Sequence, residues 1–341
     1  MIFCWHGHAQ PAPAPTPASI APALSAAESL IRLSDWPGSD LPFLLDSPPR
    51  SDPYAQNTNH PHSHGQGVHS LAIINQKGGV GKTTTAVNLS AALARSGRRV
   101  GLIDLDPQAH ASLHLGADPK RPMPTTYDLL AGDATFGETW REVEENLSVA
   151  PAHIDLAAVE VELATAVGRE TILRDKLSES KEDFDYVLID CPPALGVLTL
   201  NALTAVEDVF LPLQPHFLAL HGLSKLMQTV GLVSERLNPS LKMAGVVLCL
   251  YESGTRLADE VTTDVASYFE QVRAQGPVWE HVRLFDTRIR RNIRLAEAPS
   301  HGQSIFSYDP ASRGASDYRS LAGEVMAYYA GRELIASSSV A

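Results

Sequence analysis

The sequence predicts an α/β protein that has a mostly parallel sheet with helices on both faces. The chain has 341 residues, 44% of them hydrophobic, which is enough for one large domain or two small domains with proper cores. From residue 69 onward, short apolar runs alternate with amphipathic segments. The runs are apolar at consecutive positions, which is typical of parallel strands that are buried on both faces.

The first part of this region contains three predicted strands and two predicted helical segments. The run "HSLAIIN" predicts a buried strand, and the helix "KTTTAVNLSAALARSG" follows it and ends at Gly97. Further strands are expected at "RRVGLIDLD" and at "LSVAP" near residue 147. The segment 156–178 is expected to be helical.

The second part continues the same alternation to the end of the chain. The run "FDYVLIDCPP" predicts a strand that two prolines stop. The later strands are expected at "VFLPLQP", "KMAGVVLCLY" and "PVWEHVRLF", with helices between them. The last long helix is expected over about 315–336, and the sequence shows no internal repeat.

Residues 1–68 differ in composition from the rest of the chain. They contain 11 of the 24 prolines and no lysine, so they cannot bury enough surface to offset ordering entropy. We expect a disordered tail over 1–68, one folded domain over 69–335 and a flexible C-terminus over 336–341. Within the tail, 24–33 is interpreted as a transient helix or a docking peptide. The His60, His62 and His64 run is interpreted as solvated linker or a metal site.

Composition excludes several classes of protein. The three cysteines are scattered without C-x-x-C spacing, which argues against a disulfide scaffold or a zinc site and fits a reducing cytosol. No apolar run approaches the roughly 18 residues of a membrane span, and the first residues make a poor signal peptide. We therefore expect a cytoplasmic protein. The net charge of -12 argues against a nucleic-acid coat protein but leaves room for a local basic patch.

A glycine-rich loop, "NQKGGVGKTTT", lies between the first predicted strand and the first predicted helix. This is the context that a phosphate-binding loop requires, because backbone N–H groups and the positive end of the helix dipole both attract phosphate. The strict pattern G-x-x-x-x-G-K-[ST] is not met, since Gln76 stands where the first glycine belongs. The predicted nucleotide-binding residues are Lys77, Gly78, Gly79, Val80, Gly81, Lys82, Thr83 and Thr84.

Two side chains of this loop have expected roles in phosphate chemistry. Lys82 is expected to neutralise the β- and γ-phosphates, and the Thr83 hydroxyl is expected to hold Mg²⁺. The loop carries a second lysine, Lys77, five residues earlier. One phosphate loop needs only one lysine, so Lys77 requires a separate explanation.

This loop is the deviant Walker A motif and resembles that of the ParA/Soj/MinD ATPases, a superfamily of the SIMIBI class. The resemblance implies the three-layer sandwich of P-loop NTPases, with ATP and Mg²⁺ as cofactors. In that family the additional lysine reaches across a dimer interface to the partner's ATP. Lys77 is therefore expected to act in trans within a nucleotide-sandwich homodimer, where it offsets phosphate repulsion and stabilises the transition state.

Aspartates follow two of the predicted strands, at the edge where open α/β sheets bind ligands. The resemblance implies that "DLDPQ" is a switch in which Asp106 orients the attacking water, with Asp104 in support. The alternative is a pair of carboxylates that caps the next helix. "VLIDCPP" resembles the family's Walker B motif, which implies that Asp190 holds Mg²⁺ through water. An unpaired aspartate after four apolar residues is otherwise costly to bury.

The resemblance extends over about 69–331 and is strongest to the ParA/Soj branch, in segments such as "LALHGLSKL", "RLAEAPSHGQSI" and "RGASDYRSLAGEV". It implies a nucleoid-associated ATPase whose weak intrinsic activity is stimulated by a ParB-like partner. It also implies that the ATP-bound homodimer binds non-specific double-stranded DNA and positions a chromosome, plasmid or other cargo. No membrane partner is expected, because the C-terminus lacks a basic amphipathic helix.

An arginine cluster is the candidate DNA contact. The segment 281–294 holds five arginines against one acid, and Arg294 stands where the resembled family has a DNA-contacting arginine. Another family arginine aligns with Gly254, two residues before Arg256, which is expected to substitute for it. The candidate DNA-binding residues are Arg256, Arg288, Arg290, Arg291 and Arg294. The alternative is a set of surface arginines that pair with Glu280, Asp286 and Glu297.

Other functions share the phosphate loop. A MinD-like switch that acts on a membrane or protein complex is the main alternative. A nitrogenase-type iron protein needs paired cluster cysteines, but Cys191 is interpreted as a small core residue and Cys249 lies in an apolar strand. A small-molecule ligase needs a substrate pocket, and a bacterial tyrosine kinase needs a C-terminal tyrosine cluster. The sequence favours neither of these two.

Overall fold

The computed structural model describes residues 68–117, 123–216 and 219–338. The predicted tail, including the 24–33 segment and the three-histidine run, lies outside the described residues, apart from Val68. Side chains are described as far as residue 334.

An eight-stranded sheet forms the centre of the described region. Its strand order is β3-β4-β2-β5-β1-β6-β7-β8, and all neighbouring pairs are parallel except β3 with β4. The strands are β1 His69–Ile73, β2 Val100–Asp104, β3 Arg141–Glu144, β4 Leu147–Ala150, β5 Tyr186–Asp190, β6 Asp208–Leu213, β7 Lys242–Tyr251 and β8 Arg283–Arg290. The predicted α/β class and mostly parallel sheet are confirmed.

Helices connect most of the parallel strands. They are α1 Lys82–Arg95, α2 His110–His114, α3 Thr126–Ala131, α4 Phe136–Thr139, α5 Val159–Glu162, α6 Ile172–Ser178, α7 Val197–Ala205, α8 Ala219–Arg236, α9 Arg256–Val272, α10 Ile293–Glu297, α11 Ile305–Tyr308 and α12 Arg313–Ser338. Short 3₁₀ turns occur at Ile154–Ala158, Arg273–Gln275, Pro277–Trp279 and Ala298–His301.

Both faces of the sheet are buried. On one face, α1 and α12 pack on strand residues that include Leu71, Leu102 and Leu188, all of which are fully buried. The alternate residues Ala72 and Ile103 point to the other face and are fully buried as well. α7 packs against β1, and α8 packs against α7. The expected layer of helices on each face is therefore present.

Three predictions about elements need correction. The segment 156–178 is not one helix, because the chain turns at Gly168, whose φ of 79° is left-handed, between the short helices α5 and α6. The strand expected from Pro277 begins at Arg283, and the preceding residues form a 3₁₀ turn. The antiparallel edge strand β3 was not predicted.

The last helix is longer than predicted. It begins at Arg313 and runs to Ser338, so it enters the segment that was expected to be flexible. None of the helices in the described part of the chain is long and apolar enough to cross a membrane.

Candidate functional site

The phosphate loop connects the end of β1 to the start of α1, at the carboxyl edge of the sheet. Gly79 and Gly81 have φ values of 74° and 94°, which side chains with a Cβ rarely adopt. Asn75 holds the start of the loop, because its Nδ2 donates to the Pro212 carbonyl (2.8 Å) and its Oδ1 accepts from the Lys77 N–H (2.9 Å). The loop is therefore fixed to β6 before any ligand binds.

The two lysines of the loop occupy different environments. Lys82 is 8% exposed, and its Nζ donates to the Lys77 carbonyl over 3.4 Å. The Lys77 side chain is exposed at the rim of the loop. Lys82 is thus directed into the loop, while Lys77 is available to a group outside it.

Two aspartates meet on neighbouring strands beside this loop. Asp104 of β2 and Asp190 of β5 are in register, and both are fully buried. Asp104 accepts the N–H and the hydroxyl of Ser112, at 2.8 Å and 2.7 Å, and the N–H of Asp106 at 3.1 Å. Burial raises the pKa of Asp104 to about 6, against these hydrogen bonds. Asp104 therefore fixes the backbone at Asp106 and at Ser112.

Asp190 is the unusual carboxylate of the site. Both of its oxygens are buried and lack a hydrogen-bond partner among the described residues. Burial, and then the charge of Asp104, raise the pKa of Asp190 well above its ordinary value, while Thr83 and Lys82 oppose this rise. Unpaired buried carboxylates are costly, and hard divalent cations take carboxylate and hydroxyl oxygens. The Asp190 and Thr83 oxygens therefore fit Mg²⁺, bound directly or through water.

Asp106 lies two residues beyond Asp104, which is the last residue of β2. It is 9% exposed, and its Oδ1 accepts the Gln108 N–H at 3.0 Å. The next turn contains Ala109 at a φ of 54°, a left-handed conformation that costs a non-glycine residue about 1 kcal/mol. The Ala109 N–H donates to the Asp106 carbonyl at 2.8 Å. The backbone of this segment is strained next to the predicted catalytic residue.

A buried polar contact supports α1 and was not predicted. The Thr85 hydroxyl lies 3.1 Å from the Tyr318 hydroxyl and 3.6 Å from the Cys249 sulfur. A Cβ on Gly81 would lie 3.6 Å from the Cys249 Cβ, so β7 packs directly against the phosphate loop. Burial raises the pKa of the Cys249 thiol to about 12, so this cysteine is an inert packing group.

The remaining cysteine prediction is consistent with the structure. Cys191 is fully buried, and burial raises its pKa well above the ordinary value. Within the described ranges, no group of three or more His, Cys, Asp or Glu side chains forms a further metal site.

The predicted DNA-contacting arginines lie at the same carboxyl edge, at its β7–β8 end. Cys249, which packs against the phosphate loop, is in register with Ile289, and Tyr251 is in register with Arg290. Arg288 and Arg290 lie within β8 and Arg291 directly follows it, so the cluster is at the carboxyl end of the strand that pairs with β7. We call the exposed Arg256, Arg291 and Arg294 the arginine patch.

Each arginine of the patch is paired with a carboxylate. Arg256 contacts Glu260 at 2.8 Å, Arg291 contacts Glu252 at 2.9 Å, and Arg294 contacts Glu297 at 2.8 Å. Of the three acids that the alternative interpretation named, only Glu297 pairs with a predicted DNA-contacting arginine among the described residues.

The other two candidate arginines make internal contacts. Arg290 holds Asp317 through both its N–H (3.0 Å) and its guanidinium, and the Asp317 side chain is only 7% exposed. Arg288 donates to the backbone carbonyl of Asp286 at 2.7 Å and to that of Phe285. The sequence grouped Arg290 with the exposed arginines, but the structure ties it to α12.

Comparison with known proteins agrees with this arrangement. The AAA domain family matches residues 68–243. Sporulation initiation inhibitor protein Soj of Bacillus subtilis is 46% identical over 75% of this chain and 98% of its own length. Chromosome-partitioning ATPase Soj of Treponema pallidum is 45% identical over 76% of this chain and 97% of its own. The chain belongs to the Soj/ParA family of chromosome-partitioning ATPases.

A solved structure supports the fold and the nature of the ligand. Cobyrinic acid a,c-diamide synthase from Mycobacterium smegmatis, with bound ADP and magnesium, has a TM-score of 0.65 and 37% identity. The match covers 77% of this chain and 96% of that chain. The family resemblance and the three-layer P-loop fold inferred from the sequence are confirmed.

Proposed function

We propose that this chain is a ParA-type ATPase whose ATP-bound homodimer binds non-specific double-stranded DNA. ATP with Mg²⁺ is its cofactor, and a ParB-like partner stimulates a weak intrinsic hydrolysis. One observation carries the proposal, namely that an incomplete cation site at Asp190 and the exposed arginine patch share one edge of the sheet. Three strands of that edge, β1, β6 and β7, lie between β5 of the first region and β8 of the second.

Hydrolysis follows from groups that this chain already positions. Lys82 and the N–H groups of the phosphate loop bind the phosphates, and Thr83 with Asp190 holds the Mg²⁺ that neutralises them. Asp106 lies at the mouth of the site and orients the attacking water. Its own backbone N–H is held by Asp104, which fixes its position.

The exposed Lys77 suits a role in trans. Its backbone N–H and carbonyl are both engaged within the loop, so the loop holds the residue while its side chain faces outward. A second copy that presents its own loop would place this ammonium near the partner's phosphates. Such a contact stabilises charge in the transition state and links hydrolysis to dimerisation.

DNA binding follows from dimerisation by avidity. One patch of three exposed arginines binds phosphate weakly, whereas a dimer presents two patches on one rigid body. Binding is then stronger in the ATP state without any change in the patch itself. Hydrolysis separates the copies and releases the DNA, which is the cycle that positions cargo.

The first experiment measures binding of the full chain to a fluorescent mixed-sequence DNA duplex, with ATP or ADP, over a salt series. We expect salt-sensitive binding in ATP and at least tenfold weaker binding in ADP. Lys82→Ala should bind like the ADP state. Equal binding in both nucleotides, or none in either, would contradict the DNA assignment.

Two further arms of this experiment address other functions. Vesicles that contain anionic lipid replace DNA and test a MinD-like membrane switch, and we expect no ATP-dependent binding to them. Hydrolysis is also measured with no small molecule other than ATP, because one matched structure is named a diamide synthase. We expect slow turnover without any added acid or amine, which a ligase would require.

A further inference from the structure

The two segments that contain the arginine patch carry almost no net charge. Residues 251–260 and 283–297 contain six arginines and five acidic residues. The whole chain has a net charge of -12. Long-range attraction to DNA is therefore weak, and the affinity must come from individual arginines that reach phosphate.

The acids occupy one of the two edges of each guanidinium that can make a bidentate contact with phosphate. Glu260 contacts Arg256 at its Nε, and Glu252 contacts Arg291 at its Nε. A bidentate phosphate contact uses two parallel N–H groups on one edge of the guanidinium. While the carboxylate remains, the Nε edge of these arginines is unavailable to DNA.

We propose that Glu252, Glu260 and Glu297 compete with DNA phosphate for the arginine patch, so that binding requires exchange of internal ion pairs. This inference rests on the proposed DNA function and describes the regulation of the same surface. The three carboxylates weaken the binding of one arginine patch to DNA phosphate. Only a dimer, which presents two patches, binds DNA in spite of this competition. The carboxylates thereby prevent the monomer from binding DNA. The protein therefore leaves DNA when hydrolysis separates the two copies.

The exposure of these pairs makes the exchange possible. Arg256 is 85% exposed at its side chain, and Arg291 is 62% exposed. Exposed ion pairs are weak, since water and salt screen them. Arg290 differs, because its partner Asp317 is buried and would be left unpaired by exchange. The competition therefore acts on the patch and not on Arg290.

Arg291 is the best position for a test. Its backbone N–H donates to the Tyr251 carbonyl at 3.3 Å, so the residue stays in place when its side chain changes partner. Glu252 is 58% exposed, and Glu252→Gln removes one charge with little change in shape. We expect ATP-state binding to the mixed-sequence duplex about two- to fivefold tighter at low salt. The gain should fade as salt rises, because salt already weakens the internal pair.

Glu270→Gln is the matched control. Glu270 also pairs with an exposed arginine, Arg273, at 2.9 Å, and it lies on the same helix as Arg256. Glu270 and Arg256 are about 21 Å apart along the helix axis. This distance exceeds the Debye length of about 10 Å at 0.1 M salt. The control changes net charge equally, and we expect it to alter DNA affinity less than about 1.5-fold.

A double variant separates competition from a general charge effect. If Glu252 acts by occupying Arg291, its removal should have no effect in an Arg291→Gln background. A gain that persists there, or a gain equal to that of Glu270→Gln, would overturn the proposal while leaving DNA binding established. If the unmodified protein shows no ATP-dependent DNA binding, the proposed function fails and this inference fails with it. Equal unfolding temperatures show that each variant is folded.

Discussion

At the nucleotide end of the sheet edge, Asp190 is fully buried and both its oxygens lack hydrogen-bond partners within the described residues. At the arginine end, Arg291 is largely exposed and already paired with Glu252. The first region contains a buried carboxylate without a partner, and a bound cation would neutralise it. In the second region the arginine is already paired with a carboxylate, so an anionic ligand must compete with that carboxylate. This difference predicts that the proposed DNA surface binds its ligand more weakly and more reversibly than the nucleotide site does.

The largest effects are expected when the cation site loses its carboxylate charge or when it binds Mg²⁺. Asp190→Asn keeps the shape but removes the charge, and we expect ATP hydrolysis to fall about 10²- to 10³-fold. Mg²⁺ with ADP should raise the unfolding temperature of the unmodified protein more than that of the variant. Asp133→Asn, at an exposed position, is the control and should behave like the unmodified protein. A variant with normal Mg²⁺-dependent turnover would show that Asp190 is not part of the cation site.

The second effect concerns Lys77 and tests the dimer directly. Lys77→Ala and Asp106→Ala should each lower turnover about 10²-fold, because Lys77 is proposed to stabilise charge on the reacting phosphate and Asp106 to orient the attacking water. A heterodimer of the two variants has one complete site if Lys77 acts in trans. Equal mixing should therefore restore about a quarter of the unmodified turnover. If Lys77 acts on its own subunit's ATP, mixing would restore none.

The nucleotide end also differs from the arginine end in its response to pH. Burial lowers the pKa of His114, on α2, from 6.5 to about 4. As the pH falls below 6.5, the unfolded chain binds a proton that the folded chain rejects, so stability is lost down to about pH 4. We expect this group to make the protein about 2 kcal/mol less stable at pH 5 than at pH 7.

Urea unfolding of His114→Gln at the two pH values measures this contribution. The variant should lose less stability on acidification than the unmodified protein does. His110→Gln, at an exposed position of the same helix, should retain the unmodified difference. An identical pH response in all three proteins would mean that His114 is not responsible.

The nucleotide end was predictable from sequence because its determinants are local. Strand, glycine loop and helix are consecutive, and Lys82 and Thr83 follow directly from their spacing. Asp190 was predictable as a carboxylate at a strand end, but its lack of partners was not. The strand β3 was missed because it is a four-residue polar edge strand, which carries little hydrophobic pattern.

The arginine end was less predictable because its partners are distant in sequence. The sequence offered Glu280 and Asp286 as acids near the cluster, yet Arg291 pairs with Glu252, 39 residues away. Arg290 pairs with Asp317, 27 residues away, across the junction of β8 and α12. The contact between Thr85 and Tyr318 joins residues 233 positions apart. Charge counting within a segment predicts a patch, but only the fold decides which charges are free to act.

The smallest expected effect separates two neighbouring arginines that the sequence treats alike. Arg290→Ala leaves the buried carboxylate of Asp317 with the backbone N–H of residue 290 but without its positive charge, so we expect a loss of about 2 kcal/mol of stability by urea unfolding. Arg291→Ala breaks an exposed pair and should cost less than about 0.5 kcal/mol. Their effects on DNA should be reversed, since Arg291 faces solvent and Arg290 is held by α12. If both variants were fully folded and Arg290→Ala weakened DNA binding more than Arg291→Ala did, Arg290 would belong to the DNA surface after all. The burial or exposure of the carboxylate partner would then not decide which arginines at this edge of the sheet bind DNA.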